Sequence, residues 1–585
     1  MTTSPQNAPA PEAAMCSDIN VPLVSWSESF NDGKFSSWKS APAKIWTSFE
    51  GYAPDGSKVL YGINQAKAGS ATIQLKAPIL IPEQAFLHLQ HYYLFEYDDS
   101  ASYDGGLIEY SSDGKNWTDA GPLITTNGYS QILHVGSDNP MGGSLAFGGT
   151  SNGYMSSRLD VSTLAGQKLY FRFRIVTDAA VGYDGWLIDN LKLYQCVDPY
   201  TNIVQLAGSG NHTCATTIGN RVLCWGQGDA GQIGNGTLLD APSATFVLDS
   251  SYLAVASVVP PSAGGEFGCA IRTTKRVACW GANASGQLGI NTLVTSETAA
   301  TVLIDATTPL TNVVGLATGS QHACAVRADS SVYCWGENGA GQVGNNTETD
   351  QKVAVPVQKS GGIALTGVTQ VVAGADHTCA LVRDGSVWCW GDNGSGELGV
   401  GATPLKSAVA LPTKVSATKM LTGIRTVATG ADVSCAMTTK AALLCWGRNT
   451  EGQMGNGTYT NVLFPTAPKI GKKALTNVTQ IAMGLGSHLC AIDTSKNIYC
   501  WGANANGQLG LNSTEAKNAP TMMNATVKST LGTVVKITTG LTHTCALNAQ
   551  LAVYCWGDNS NGQLGDDSGV DSSLLPVRVS VLTEM

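Results

Sequence analysis

The segment Cys379-Ala-Leu-Val-Arg-Asp-Gly-Ser-Val-Trp-Cys389-Trp-Gly-Asp-Asn-Gly-Ser-Gly-Glu-Leu-Gly399 decides the fold. Between its two cysteines, an apolar run, a turn and a second apolar run read as two short antiparallel strands in a tight hairpin. With Cys379 opposite Cys389, Ala380 faces Trp388 and Leu381 faces Val387. Arg383-Asp384-Gly385 is then a three-residue loop whose glycine suits a left-handed position. The string Cys-Trp-Gly-x-x-x-x-Gly-x-x-Gly begins at Cys224, Cys279, Cys334, Cys389, Cys445, Cys500 and Cys555, a spacing of 55 residues with one of 56. Ten residues ahead of each lies another cysteine: Cys214, Cys269, Cys324, Cys379, Cys435, Cys490 and Cys545. A fixed period of this length marks a repeat architecture, in which each unit buries its apolar face only by stacking on its neighbours. The other six hairpins lack the loop glycine, so their register is less firmly set.

Directly opposed positions on antiparallel strands bring Cβ atoms to about 4.5–5.5 Å, near disulfide range. The spacing therefore predicts one disulfide inside each repeat. A metal site is the rival reading, but two thiols separated by nine residues do not form a zinc knuckle, and a four-cysteine site would need a neighbouring repeat.

Gly319-Ser-Gln-His322-Ala-Cys-Ala followed by Val332-Tyr-Cys-Trp335-Gly-Glu-Asn-Gly-Ala-Gly341-Gln-Val-Gly344 resembles one repeat of the regulator of chromosome condensation family. The resemblance covers about residues 202 to 582 and implies a seven-bladed β-propeller. Each Trp-Gly motif is trailed by a Pro- or Val-rich strand, such as Val353-Ala-Val-Pro-Val357, and the first repeat has none before it. The C-terminal strand, 574–582, is thus expected to complete the first blade and close the ring, removing an exposed edge. The Trp is read as an inter-blade wedge. His212, His322, His377, His488 and His543 stand two residues before the first cysteine of a pair, where the second and fifth repeats carry Phe267 and Val433. A position that accepts Phe and Val is read as structural.

Sixteen cysteines, an even number, with only 13% charged residues point to an oxidising compartment, so a secreted, extracellular or cell-surface location is expected. The net charge of −9 disfavours nucleic acid and anionic membrane surfaces as partners. No apolar run approaches the ~18–20 residues that span a bilayer. Residues 1–15, rich in Pro, Ala and small polar residues, read as a disordered leader without the basic and apolar regions of a signal peptide.

Residues 16–198 share no repeat with 199–585 and carry the remaining two cysteines, Cys16 and Cys196, at their edges, a further expected bridge. Alternating segments, Ala71–Leu75, Phe86–Phe95, Leu107–Ser111 and Leu169–Val176, separated by Asp, Gly and Asn turns, call for an antiparallel β-sandwich. The whole chain is therefore all-β. Tyr103-Asp-Gly-Gly-Leu-Ile-Glu-Tyr-Ser-Ser-Asp-Gly-Lys-Asn-Trp117 and Gly185-Trp-Leu-Ile-Asp-Asn-Leu-Lys-Leu-Tyr194 resemble MAM-like jelly-roll modules of secreted bacterial peptidases and adhesive surface proteins. Those modules often hold a structural calcium where first and last strands meet, which makes Glu28, Asn31, Asp98, Asp99 and Asp189 the candidate ligands; hard oxygen donors suit calcium. The alternative is that the Asp98-Asp99 pair decorates a solvated loop. His88 and His91, three apart in a strand, face opposite sides and make a poor metal pair.

Two functions follow. The first is a non-enzymatic binding, adhesion or structural protein recognising a protein or glycan. Its contacts would come from the jelly roll and from the variable segments 235–246, 290–303, 345–357, 400–415, 456–470 and 511–526, since loops on a rigid scaffold carry binding; these segments are equally compatible with mere connection. The second is a secreted enzyme inhibitor, as in the β-lactamase inhibitor that uses this propeller as a binding disc, or an accessory or targeting subunit of a secreted hydrolase. Catalysis by the chain itself is not expected: the histidines belong to the repeat, the cysteines to pairs, and no phosphate loop, activated serine or His-Glu-x-x-His occurs. Guanine-nucleotide exchange in a nucleus is set aside, because paired cysteines would be reduced there.

Overall fold

A computed structural model describes residues 15, 16, 21–50, 57–98, 100–136, 138–197, 202–251, 254–257 and 261–580. The stretch read as a leader lies outside them except for Met15. The chain divides into two compact units, 1–198 and 199–585. Among the described residues, helix is confined to Ala525–Leu531 and two 3-10 turns.

The first unit is built of antiparallel sheets. One runs in the order Ile124–Thr126, Met155–Asp160, Ala85–Leu94, Gly185–Val197, Lys58–Gly62, Trp46–Glu50, with Val21–Glu28 also paired to Gly185–Val197. The other runs Trp38–Ala41, Gly69–Leu75, Lys168–Thr177, Gly105–Ser111, Thr118–Asp119. Alternation places one side of each strand inward: Ala71, Ile73 and Leu75 are buried while Ser70, Thr72 and Gln74 are not. Side chains of both sheets, among them Leu87, Trp186 and Ile188 from the first and Trp38, Ile73 and Phe173 from the second, share one core, the packing of a two-sheet sandwich. Cys16 and Cys196 are bridged, their Cα atoms 5.6 Å apart.

The second unit contains seven sheets of four consecutive antiparallel strands, the fourth extended by a small hairpin. Blade three is representative: Val313–Thr318, His322–Arg327, Val332–Gly336 and Gln351–Pro356. In all seven blades the paired cysteines are directly opposed. Their Cα atoms lie 4.1–4.2 Å apart and each pair is bridged, so the described cysteines include no free thiol. The register expected for Ala380, Trp388, Leu381 and Val387 is observed, and Gly385 is left-handed. The six hairpins without that glycine keep the same geometry. Asn220, Lys275, Ser330, Ala441, Lys496 and Leu551 occupy the equivalent place at φ 58–65°. The disulfide and flanking pairs thus hold the register where loop chemistry does not.

Ring closure differs from the sequence-based expectation. The C-terminal strand Ser572–Arg578 pairs with Val553–Asp558 and completes blade seven, not blade one. Blade one has its own four strands, Ile203–Gly208, His212–Thr217, Val222–Gly226 and Ala241–Phe246. The reason is that the inner strand of every blade directly precedes its first cysteine and the outer strand follows its Trp-Gly motif. Repeat and blade coincide, leaving no vacancy to fill. The seam closes by face packing: Ile203, Leu206 and Trp225 share a cluster with Leu547, Val553 and Leu564. Backbone bonds Ala244 N to Ser580 O (3.0 Å) and Asp567 N to Pro242 O (3.0 Å) cross it. The first repeats that of Ala299 N to Leu248 O and Ala354 N to Leu303 O at internal seams.

Candidate functional site

The interior of the ring is structural. Each wedge tryptophan is fully buried. Trp280, Trp335, Trp390, Trp446, Trp501 and Trp556 donate Nε1–H to the backbone carbonyl of Gln232, Gln287, Gln342, Glu397, Gln453 and Gln508, at 2.7–3.0 Å, one blade back. Trp225, at the closing seam, is buried with its Nε1 unpaired. Close approach requires glycine beneath the wedge: a Cβ on Gly289 would come within 2.9 Å of Trp335, and its φ is +66°.

The repeat histidines form a belt between blades. His322, His377, His488 and His543 place Nε2 at 2.7–2.9 Å from the hydroxyls of Thr378, Ser434, Thr544 and Thr213, one blade on. Thr378, Ser434 and Thr544 each donate to a backbone carbonyl, of Gln342, Glu397 and Gln508. Their hydroxyl oxygens therefore accept from His Nε2–H, which fixes the neutral tautomer at those three histidines. Nδ1 of His543 is buried without a partner, so a second proton there would be both desolvated and unpaired. Burial accordingly lowers His322 and His543 to about 3, and His212, His377 and His488 to about 4. Where the histidine is missing, so is the hydroxyl: Phe267 precedes Ala323 by one blade, and Val433 precedes Leu489. For His212 the equivalent place one blade on is Gly268, which offers no hydroxyl.

The variable segments form loops on one rim, and a residue not singled out by the sequence reading holds them. Asparagine recurs two residues after Gly of the Trp-Gly motif, at 283, 338, 393, 449, 504 and 559, and is buried. Asn338 Nδ2 donates to Thr347 O (2.9 Å) and Thr349 O (3.0 Å) in the loop, while its Oδ1 accepts from Val343 N (2.9 Å) in the motif. Asn283, Asn393, Asn449, Asn504 and Asn559 make equivalent bonds. The signal was present as a four-residue motif, Trp-Gly-x-Asn, in six of the seven repeats. Four of the braced loops carry exposed apolar side chains, Val294 (70%), Leu405 (67%), Tyr459 (56%) and Val570 (57%), as does the blade-one loop, which has Gly228 in place of the asparagine, at Leu239 (71%). Blades three and six carry Glu348 and Glu515 there.

The inner strands surround a channel of about 540 Å³. Lys536 is the one ionisable side chain among its lining residues, and burial lowers its pKa.

Among the described residues, the metal ligands expected from sequence are not gathered into one acidic cluster. Glu28 accepts from Phe30 N and Trp38 Nε1. Asn31 is exposed in a turn. Asp98 closes a turn through Ser100 and Ala101 and accepts from the Tyr103 hydroxyl. Asp99 lies outside the described residues. Asp189 is buried in Gly185–Val197 and accepts from Asn190. The acidic side chains that do converge are Glu96, Asp104 and Asp178. His91 bonds Ser157 and Trp186 in the sandwich core.

Seven disulfide-stapled blades with a wedge tryptophan, a belt and braced rim loops define a repeat propeller. The chain belongs to the RCC1-like domain family, which matches residues 188–531 and 364–585. It is 29% identical over 388 residues to the ultraviolet-B receptor UVR8 of Arabidopsis thaliana, spanning 66% of this chain and 83% of that protein. It is 28% identical over 325 residues to the human E3 ubiquitin-protein ligase HERC2, covering 55% of this chain but 6% of that protein. Among solved structures, human WBSCR16 superposes with a TM-score of 0.52 at 22% identity over 62% of this chain and 94% of that one. Yeast RCC1 (Prp20) bound to Kap60 gives 0.51 at 20% identity over 64% and 85%. These structural likenesses speak for the fold alone.

Proposed function

We propose that this protein is a secreted or surface-held binding protein, without catalysis of its own, that recognises a protein or glycan partner through the rim loops of its propeller. One observation carries the reading: five loops at equivalent places on a covalently stapled ring expose large apolar side chains, and each of the four beyond blade one is braced by a buried asparagine. Exposed apolar groups repeated on one rim are the mark of an interaction surface, and preorganised loops lose little entropy on binding. The eight disulfides support an oxidising compartment. The five repeat histidines and the sixteen cysteines are committed to the belt and the bridges. The test is a screen of the full chain against secreted proteins and a glycan array, run beside a hydrolase substrate panel. A saturable partner with no turnover supports the proposal; turnover of a substrate without any retained partner defeats it.

A further inference from the structure

We infer that the central channel of the propeller binds a small organic acid, its carboxylate held by Lys536 and its apolar body by the inner strands. Gln205, Gly315, Gln370, Thr426, Gln480 and Lys536 take the same place in the inner strands of their blades, just beyond the shift in register. In blades four and six this place laces one blade to the next. Gln370 Nε2 donates to Val427 O (3.0 Å) while its Oε1 accepts from Val427 N (3.0 Å), and Gln480 Nε2 donates to Ile537 O (3.0 Å). Val427 and Ile537 each follow that place by one residue, and the matching residue of blade one is Leu206. At the closing seam Lys536 replaces the carboxamide. Among the described residues its ammonium forms no ion pair and no hydrogen bond, to Leu206 or elsewhere.

The fold does not call for a cation at this place, since glutamine, threonine and glycine serve in the other blades. No acid stands among the channel-lining residues to compensate the charge, and burial lowers the Lys536 pKa. A half-buried ammonium without a counter-charge is costly, and a carboxylate would satisfy it through a charge-assisted hydrogen bond. A second donor is at hand. Thr538, two residues on and so on the same face of the strand, accepts from Gly208 N (2.8 Å), which leaves its O–H free to donate to the other carboxylate oxygen. Leu206, Val314, Val371, Ile481 and Met483 give the channel an apolar lining, and its volume of about 540 Å³ falls in the range of small-molecule sites. A single lysine matches a monoanion with an apolar body better than a phosphate, whose higher charge and three or more oxygens ask for more donors. The site is built by inner strands and not by the rim loops, so it stands independently of the recognition proposed for them.

The test is calorimetric titration of the full chain with sodium hexanoate and, separately, with hexanol and with inorganic phosphate. One hexanoate per chain is expected, with hexanol and phosphate at least about tenfold weaker, since the first lacks the charge and the second the apolar body. Lys536→Gln copies the residue that blades four and six carry, so the variant should stay folded by its tryptophan fluorescence and bind hexanoate at least about tenfold more weakly. Lys536→Met gives the same weakening and serves if Lys536→Gln does not fold. Absence of saturable hexanoate binding, equal binding of hexanol or phosphate, or hexanoate binding that survives both substitutions would overturn the inference.

Discussion

Acidification from pH 7 to 4.5 should destabilise the propeller steeply, because of the histidine belt. Five belt histidines have folded pKa values of about 3 to 4, against about 6.5 in an unfolded chain. A base whose pKa is depressed by folding takes up its proton only on unfolding, so its stabilisation is present above 6.5 and is lost as pH falls through that window. Glu397 works in the opposite direction. Its folded pKa is raised by burial to about 7, so between about pH 4.5 and 7 the folded state binds its proton and gains stability on acidification. Glu337 and Asp376, also raised by burial, act the same way. The balance is roughly three to four protons taken up on unfolding, which at 1.36 kcal/mol per proton and pH unit gives a slope of about 4–5 kcal/mol per pH unit near pH 5. Denaturant midpoints followed by tryptophan fluorescence at half-unit steps of pH measure it. The double substitution His543→Phe with Thr213→Ala copies the apolar pair that the chain itself uses at Phe267 and Ala323, and should lower the slope by about 1.4 kcal/mol per pH unit. A propeller equally stable at pH 7 and 5, or a slope untouched by the double substitution, would refute the reasoning.

Other consequences follow from the repeat geometry. Trp335→Phe should cost about 1 kcal/mol more than Trp225→Phe, read from denaturant midpoints, because only Trp335 has a bond from Nε1 to lose. Gly289→Ala should destabilise by about 1–3 kcal/mol in the same assay, since it adds a Cβ against Trp335 at left-handed φ. Leu551→Gly should stabilise by up to about 1 kcal/mol by relieving a left-handed leucine. Asn338→Ala should cost about 1–3 kcal/mol by removing the donor to the Thr347 and Thr349 carbonyls and the acceptor of Val343 N, and limited proteolysis should then cut that loop first.

Much of the architecture was legible because the cysteines label it. A pair ten residues apart fixes a hairpin's register, and seven copies fix the number of blades. The phase of the repeat against the blade was not legible, since a strand between two cysteine pairs pairs equally well on paper with the blade before or after it. Only the pairing of Cys555 with Val577 decides it. The belt was legible as a structural position from Phe267 and Val433, but its partner hydroxyls lie a full repeat away and show only as a covariation between blades. The asparagine brace was overlooked because glycine and tryptophan dominate the motif. The acidic cluster of the sandwich was missed for a topological reason. Its members come from two connections far apart in sequence, 96–104 and the one opened by Asp178, whereas the expected set was taken from strand ends and a local Asp-Asp pair.

The central claim, that the rim loops carry recognition, is tested most directly by the triple substitution Leu239→Asp, Val294→Asp, Leu405→Asp in the full chain. These side chains are 67–71% exposed, so the fold and the tryptophan fluorescence transition should be retained. Binding to the partner found in the screen should fall at least about tenfold, the scale of 1.4 kcal/mol lost from an apolar contact. Undiminished binding by a triple variant that remains folded would contradict the account.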